Sequence, residues 1–112
     1  MTRLVYYRTE RDKLSNTKYD QPITQIEAIG LTYFMCWRFH VPIPNIKIQN
    51  RRFCKFVYPN TIQYVKYRQI IAGDVSHEFA HYLQHYKTGK TRHDRRMLVY
   101  TKMIQRYVDT LI

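Results

Sequence analysis

The sequence predicts a single α+β domain over residues 1–112, and three observations carry that reading. An apolar stretch with helical spacing occupies the first third of the chain. Short alternating runs broken by turn residues fill the middle. Two further helical patterns close it. The expected order is an N-terminal helix, a small antiparallel sheet, a helix carrying a histidine motif, and a C-terminal helix. Length suits one modest core, and an apolar content of 45% is that of a globular chain. No repeat, low-complexity tract or linker divides it.

Taken in order, the first twenty residues are polar after "RLVYY" and read as a short strand or arm. "DQPITQIEAIGLTYFMCWRF" reads as a helix, with Asp20 as its cap and Pro22 where a missing N–H costs nothing. Ile23, Ile26, Ile29, Tyr33 and Trp37 recur at helical spacing. "VPIPN" then forces extended backbone and ends the helix. Ile46 and Ile48 alternate with polar neighbours. "RRFCKFVY" and "TIQYVKY" flank Pro59-Asn60 and predict a hairpin. Residues 69–88 read as a helix stopped by Gly89. Asp94 caps a last helix whose Met97, Tyr100, Ile104, Tyr107 and Leu111 form one stripe.

Composition narrows the function classes. The longest apolar patch, "LTYFMCW", ends at Arg38 and falls short of a membrane span. The N-terminus is charged and lacks the apolar middle of a secretion signal. An intracellular protein with no membrane partner is expected. Cys36 and Cys54 have no metal-binding or redox spacing and are expected as buried reduced thiols. Nineteen basic residues against eight acidic ones give a net charge of +11. That favours a polyanionic partner such as DNA, or an acidic substrate. The excess clusters late in the chain, where Lys87, Lys90, Arg92, Arg95 and Arg96 are candidate nucleic-acid contacts. A solvated face is the commoner meaning of such a cluster.

The chemistry-bearing stretch is "HEFAH", residues 77–81. On a helix of about 100° per residue, Ile71, Val75, Phe79, Tyr82 and Tyr86 share one side, and His77 and His81 fall opposite them. Imidazoles at i and i+4 can aim at one point, and zinc takes nitrogen ligands at about 2.0–2.1 Å. Glu78, turned by one residue step, reaches a water on that metal without being a ligand. This is the mechanical content of H-E-x-x-H: two ligands and a general base on one helix. A shuffled chain of this composition shows the pattern roughly once in two hundred. The spacing therefore predicts a zinc site used for hydrolysis.

A catalytic zinc has three protein ligands and an open position. His85 lies about 12 Å along the axis from His77, too far to share an ion on a straight helix, and reads as a rim or outer partner. The candidates for the third ligand are His93, which follows the short loop "KTGKTR", then Asp94, and further off Asp109. Asp94 is also a good helix cap. In the expected hydrolysis Glu78 takes the proton from water and passes it to the leaving amine. Arg92, Arg95 and Tyr100 are candidate donors to the oxyanion, and an extended peptide can lie along an exposed strand edge between residues 46 and 67.

The segment "HEFAHYLQHYKTGKTRH" resembles the active-site segment of SprT-like (Spartan-related) zinc metallopeptidases. The resemblance implies a minimal zincin-like domain, with His77, His81 and His93 as zinc ligands and Glu78 as the general base. It implies proteolysis, in some members of proteins crosslinked to DNA. Where that family commonly has glycine after the third histidine, this chain reads "HDRRM". The ImmA-like proteases share the "HE-x-x-HYL" flavour, but their further acidic motif is missing after Glu78. A latent state, with an N-terminal arm over residues 1–20 lying across the site, is a further expectation. The competing reading is a basic nucleic-acid-binding module without catalysis.

Overall fold

The computed structural model describes residues 2–112. The order is α1 (Arg3–Lys13), β1 (Pro22–Ile23), α2 (Gln25–Phe39), β2 (Asn45–Gln49), β3 (Lys55–Val57), β4 (Thr61–Val65), β5 (Ile70–Ile71), α3 (Ala72–Thr88) and α4 (Arg95–Leu111). The fold is α+β, as the sequence predicts. Among the described residues no helix is long and apolar enough to cross a membrane.

The N-terminal segment is a helix rather than a strand or arm. Thr2 caps it by accepting the Val5 N–H at 3.2 Å. Leu4, Arg8, Glu10, Arg11 and Lys13 are all good helix formers. Its inward face is Tyr6 and Glu10, both fully buried, with Leu14 just beyond. That face is too narrow and too polar to register as an apolar stripe, so periodicity misses it.

Helix α2 begins later than expected. Thr24 is its cap and accepts from Glu27 N–H, while Glu27 reaches back to Thr24 N–H at 3.0 Å. A reciprocal pair of this kind is worth about 1 kcal/mol. Asp20 therefore caps nothing, and Pro22 lies on β1, which pairs antiparallel with β5. The helix buries Ala28, Leu31, Thr32, Met35 and Cys36. The stripe picked out by spacing is largely its outer face: Ile26 is 82% exposed and Trp37 70%. A helix apolar on both sides offers two stripes of the same period, and only tertiary packing selects one.

The main sheet has the order β2-β4-β3. The predicted hairpin is β3 and β4, antiparallel, with Phe56 opposite Ile62. The sheet as a whole is mixed rather than antiparallel, because β2 pairs with β4 in parallel, Ile46 opposite Ile62 and Ile48 opposite Tyr64. The chain passes from β2 to β3 across the position that β4 then fills, so β2 and β4 run the same way. Ile62 and Tyr64 are fully buried beneath α3.

Helix α3 is enclosed on nearly every side, with Val75 and the whole run from Ser76 to Gln84 buried. Its start is held by Asp74, which accepts the Ile71 N–H at 2.9 Å, and its end by Gly89 at φ 74°. A left-handed residue at that position costs glycine nothing. Against α4 the buried polar groups are paired, Ser76 donating to Gln105 at 2.6 Å. Asp94 caps α4 as predicted, accepting from Met97 N–H at 3.0 Å. The two cysteines are free, Cys36 buried and Cys54 half-buried.

Candidate metal centre

Helix α3 carries His77 and His81 one turn apart, and the loop after Gly89 returns His93 to them. The Nε2 atom of His93 lies 3.1 Å from Nε2 of His81 and 3.3 Å from Nε2 of His77. One ligand atom from each residue falls within 4.8 Å of the others. A tetrahedral zinc with Zn–N bonds of 2.0–2.1 Å needs nitrogens about 3.3–3.4 Å apart. Two of the three nitrogen pairs are close to that separation, and the three imidazoles together could hold one small cation. The other candidate ligands are engaged elsewhere: Asp94 at the α4 cap, and Asp109 with Lys18 N–H and Gln105. His85 lies outside the cluster, its ring 4.6 Å from that of Tyr58.

Protonation suits a ligand set. Burial, then the neighbouring His77 and His93 rings, hold His81 well below the usual imidazole range. Burial and His77 also lower the pKa of His93. Both shifts favour the neutral imidazole, whose lone pair a metal needs. His77 differs. Burial opposes its charge, but the bond to Glu10 and the carboxylates of Glu78, Glu10 and Asp74 outweigh burial and raise its pKa.

Glu10 is the residue that sequence reasoning missed. It is fully buried, and its two oxygens lie 2.9 and 3.1 Å from Nδ1 of His77. The hydroxyls of Tyr6, at 3.0 Å, and of Tyr19 donate to the same carboxylate. Burial acts against its charge, yet these bonds, that from His77 foremost, keep its pKa below normal. An ionised Glu10 fixes the Nδ1–H tautomer of His77 and turns Nε2 toward the other rings. Two acids among the basic residues of "YYRTERDK" give no signal of this at the sequence level.

Glu78 accepts the Phe56 N–H of β3 through Oε1 at 2.8 Å. Burial pushes its carboxyl up to about 7, with His77 and the Phe56 bond pulling the other way. It lines a cavity of about 210 Å³ together with His77, His81, His93, Cys54, Lys55, Phe56 and Thr91. The far wall is α1, through Arg3 and Tyr7. The Tyr7 hydroxyl is 3.4 Å from Nε2 of His93, and its ring stacks on His77 at 5.3 Å. Helix α1 thus walls the site without filling it. None of the expected oxyanion donors Arg92, Arg95 and Tyr100 lines this cavity, whereas Arg3 and Tyr7 do.

Lys87, Lys90, Arg92, Arg95 and Arg96 are all exposed. Four of them, Lys90, Arg92, Arg95 and Arg96, line a separate open cavity of about 540 Å³ with Gln84, Thr88 and Asp94. Neither a family model, a curated protein nor a solved structure matches the chain.

Proposed function

We propose that this protein is a small zinc-dependent metallopeptidase of SprT-like type, hydrolysing peptide bonds of proteins, among them proteins held near nucleic acid. The observation that carries the reading is the convergence of the His77, His81 and His93 Nε2 atoms beside Glu78 on the same helix. When bound by these three imidazoles, zinc supplies Lewis acidity and lowers the pKa of a water to about 7.

The chain's own groups account for the rest. Glu78 holds one oxygen against β3 and keeps the other free of protein partners, so its orientation is set before substrate arrives. Its pKa of about 7 is matched to taking a proton from water near neutrality and returning it to the departing amine. Water adds hydroxyl to the acyl carbon, the C–N bond breaks, and the proton ends on the amine. The Tyr7 hydroxyl and the Arg3 guanidinium, across the cavity, are donors for the carbonyl oxygen as it gains charge. Strand β3 is an edge of its sheet and lines the same cavity, which suits a peptide lying extended beside it.

The test is a paired measurement on wild type and Glu78→Gln. About one zinc per chain is expected in both, with peptide cleavage in wild type alone. Cleavage unaffected by Glu78→Gln would sink the proposal. The cavity lined by Lys90, Arg92, Arg95 and Arg96 favours a second reading, a basic nucleic-acid-binding module without catalysis. That reading expects oligonucleotide affinity that falls steeply with salt and ignores Glu78→Gln.

A further inference from the structure

A second cavity, of about 480 Å³, opens beside the histidines and shares Arg3, Tyr7, Cys54, His77 and Glu78 with the first. Its remaining wall is chemically one-sided. Helix α1 contributes Arg8 and Arg11, an i, i+3 pair, to this wall, with Arg3 from the first turn of the same helix. Among the described residues none of the three guanidiniums has a carboxylate within 4.0 Å; the one ion pair is Glu10 with His77. The acid in this wall besides Glu78 is Asp74, and its carboxylate is turned to the Ile71 N–H at the start of α3. Phe53, 71% exposed, and Leu4, 65% exposed, add an apolar rim.

We propose that this cavity is a substrate subsite for an acidic side chain, so that the enzyme cuts peptides with glutamate or aspartate close to the scissile bond. The inference rests on the peptidase reading above for the cutting, and on charge alone for the selection. Three guanidiniums lining one cavity, none ion-paired with a carboxylate, attract a carboxylate and repel lysine or arginine. The apolar rim accommodates the methylenes of glutamate. The shared residues make the cavity continuous with Glu78, so a side chain seated there leaves its own backbone beside the reacting groups.

The experiment uses the full chain with zinc, as wild type and as the double variant Arg8→Gln/Arg11→Gln. Both side chains are exposed, so the fold does not depend on them. Three labelled peptides differ only in carrying Glu, Gln or Lys beside the same central bond. Cleavage is followed in each, and binding is read by anisotropy in the Glu78→Gln background, with and without zinc. The Glu peptide is expected to bind and be cut about tenfold better than the Lys peptide, and the double variant to erase most of that ratio. Preferential binding of the Glu peptide without cleavage supports the subsite and removes the peptidase reading. Cleavage indifferent to the varied residue overturns the subsite and leaves the peptidase reading standing. No peptide preference, with a single-stranded oligonucleotide bound by wild type and lost in the double variant, overturns it in favour of a nucleic-acid contact.

Discussion

Nδ1 of His77 and Oε1 of Glu10 lie 2.9 Å apart although 67 residues separate them along the chain. This one bond joins the N-terminal helix to the helix that carries the histidine motif. It also assigns a task to each ring nitrogen: Nδ1 holds the proton toward α1, and Nε2 faces His93. The fold therefore depends on α1 for the aim of its first histidine as well as for packing.

Replacing Glu10 tests that dependence. In Glu10→Gln the amide cannot accept charge-assisted bonds from His77, Tyr6 and Tyr19 together. Zinc affinity is expected to fall roughly 10- to 100-fold, the usual cost of losing such an outer partner. Competition against a chelator of known affinity reads it directly. Glu10→Ala goes further, leaving buried donors unpaired at about 1–3 kcal/mol each, and should lower the unfolding midpoint markedly. Unchanged zinc affinity in the glutamine variant would mean that His77 is aimed by something else.

Gly73 guards the same network from the other side. A Cβ built there overlaps the Tyr19 ring, and the Gly73 N–H donates to the Tyr19 carbonyl at 2.7 Å. Alanine in a helix normally gains up to about 1 kcal/mol over glycine. Here overpacking, at about 1–3 kcal/mol, is the larger effect. Gly73→Ala is therefore expected to destabilise the protein in denaturant melts and to weaken zinc binding by moving Tyr19 off Glu10. Stabilisation would show that the ring yields freely.

The sequence reveals the parts of this site that obey a local period. His77, Glu78 and His81 can be read because one helix fixes their mutual angles, and His93 because a glycine and a short loop bring it back. Glu10, Tyr7 and Arg3 are invisible because their roles depend on a long-range docking of α1 that no periodicity encodes. Helix α2 shows the same limit. Ile26 and Trp37 repeat at helical spacing as well as Leu31 and Met35 do, and only the packed neighbours decide which pair is buried. The mixed sheet is missed for a related reason: alternation identifies β2, β3 and β4 but does not say which of them is in the middle.

His93 and Asp94 are adjacent candidates for one ligand position, and the geometry separates them. His93→Ala removes a nitrogen from the cluster. It is expected to cost more zinc affinity than the roughly 10- to 100-fold attached to an outer partner. Asp94→Ala removes the α4 cap and is expected to cost about 1 kcal/mol of stability while zinc content stays near one per chain. Measuring zinc content and urea midpoints for both variants checks the pair, and the reverse pattern would make Asp94 the ligand.

Buried acids that stay neutral predict how stability responds to alkali. Tyr64 is fully buried, and burial raises its pKa above the ordinary value of 10.0. Thr32 Oγ1 donates to the Ala28 carbonyl at 2.8 Å and so accepts from the Tyr64 hydroxyl at 2.7 Å. Burial likewise pushes the Cys54 thiol from 9.0 up to about 12. Below pH 9 both groups are protonated in the folded and unfolded chains, and neither makes stability depend on pH. Above 9.0 for the thiol and 10.0 for the phenol, the unfolded chain releases protons that the folded chain keeps. Stability then falls as pH rises toward the folded values, by about 1.4 kcal/mol per pH unit for each group fully in its window. Cys36, raised from 9.0 to about 11, and the buried phenols Tyr6 and Tyr19, raised above 10.0, act in the same sense, so urea unfolding at pH 8, 9.5 and 10.5 should show a slope that begins with the thiols and steepens with the phenols. Cys54→Val is expected to lessen the first part by one group, leaving the share of Cys36. Tyr64→Phe should lessen the second by one group, leaving the share of Tyr6 and Tyr19, at a cost of about 1 kcal/mol near neutrality for the lost bond to Thr32. A wild-type stability that is level to pH 10.5 would mean that neither group is held in the environment described.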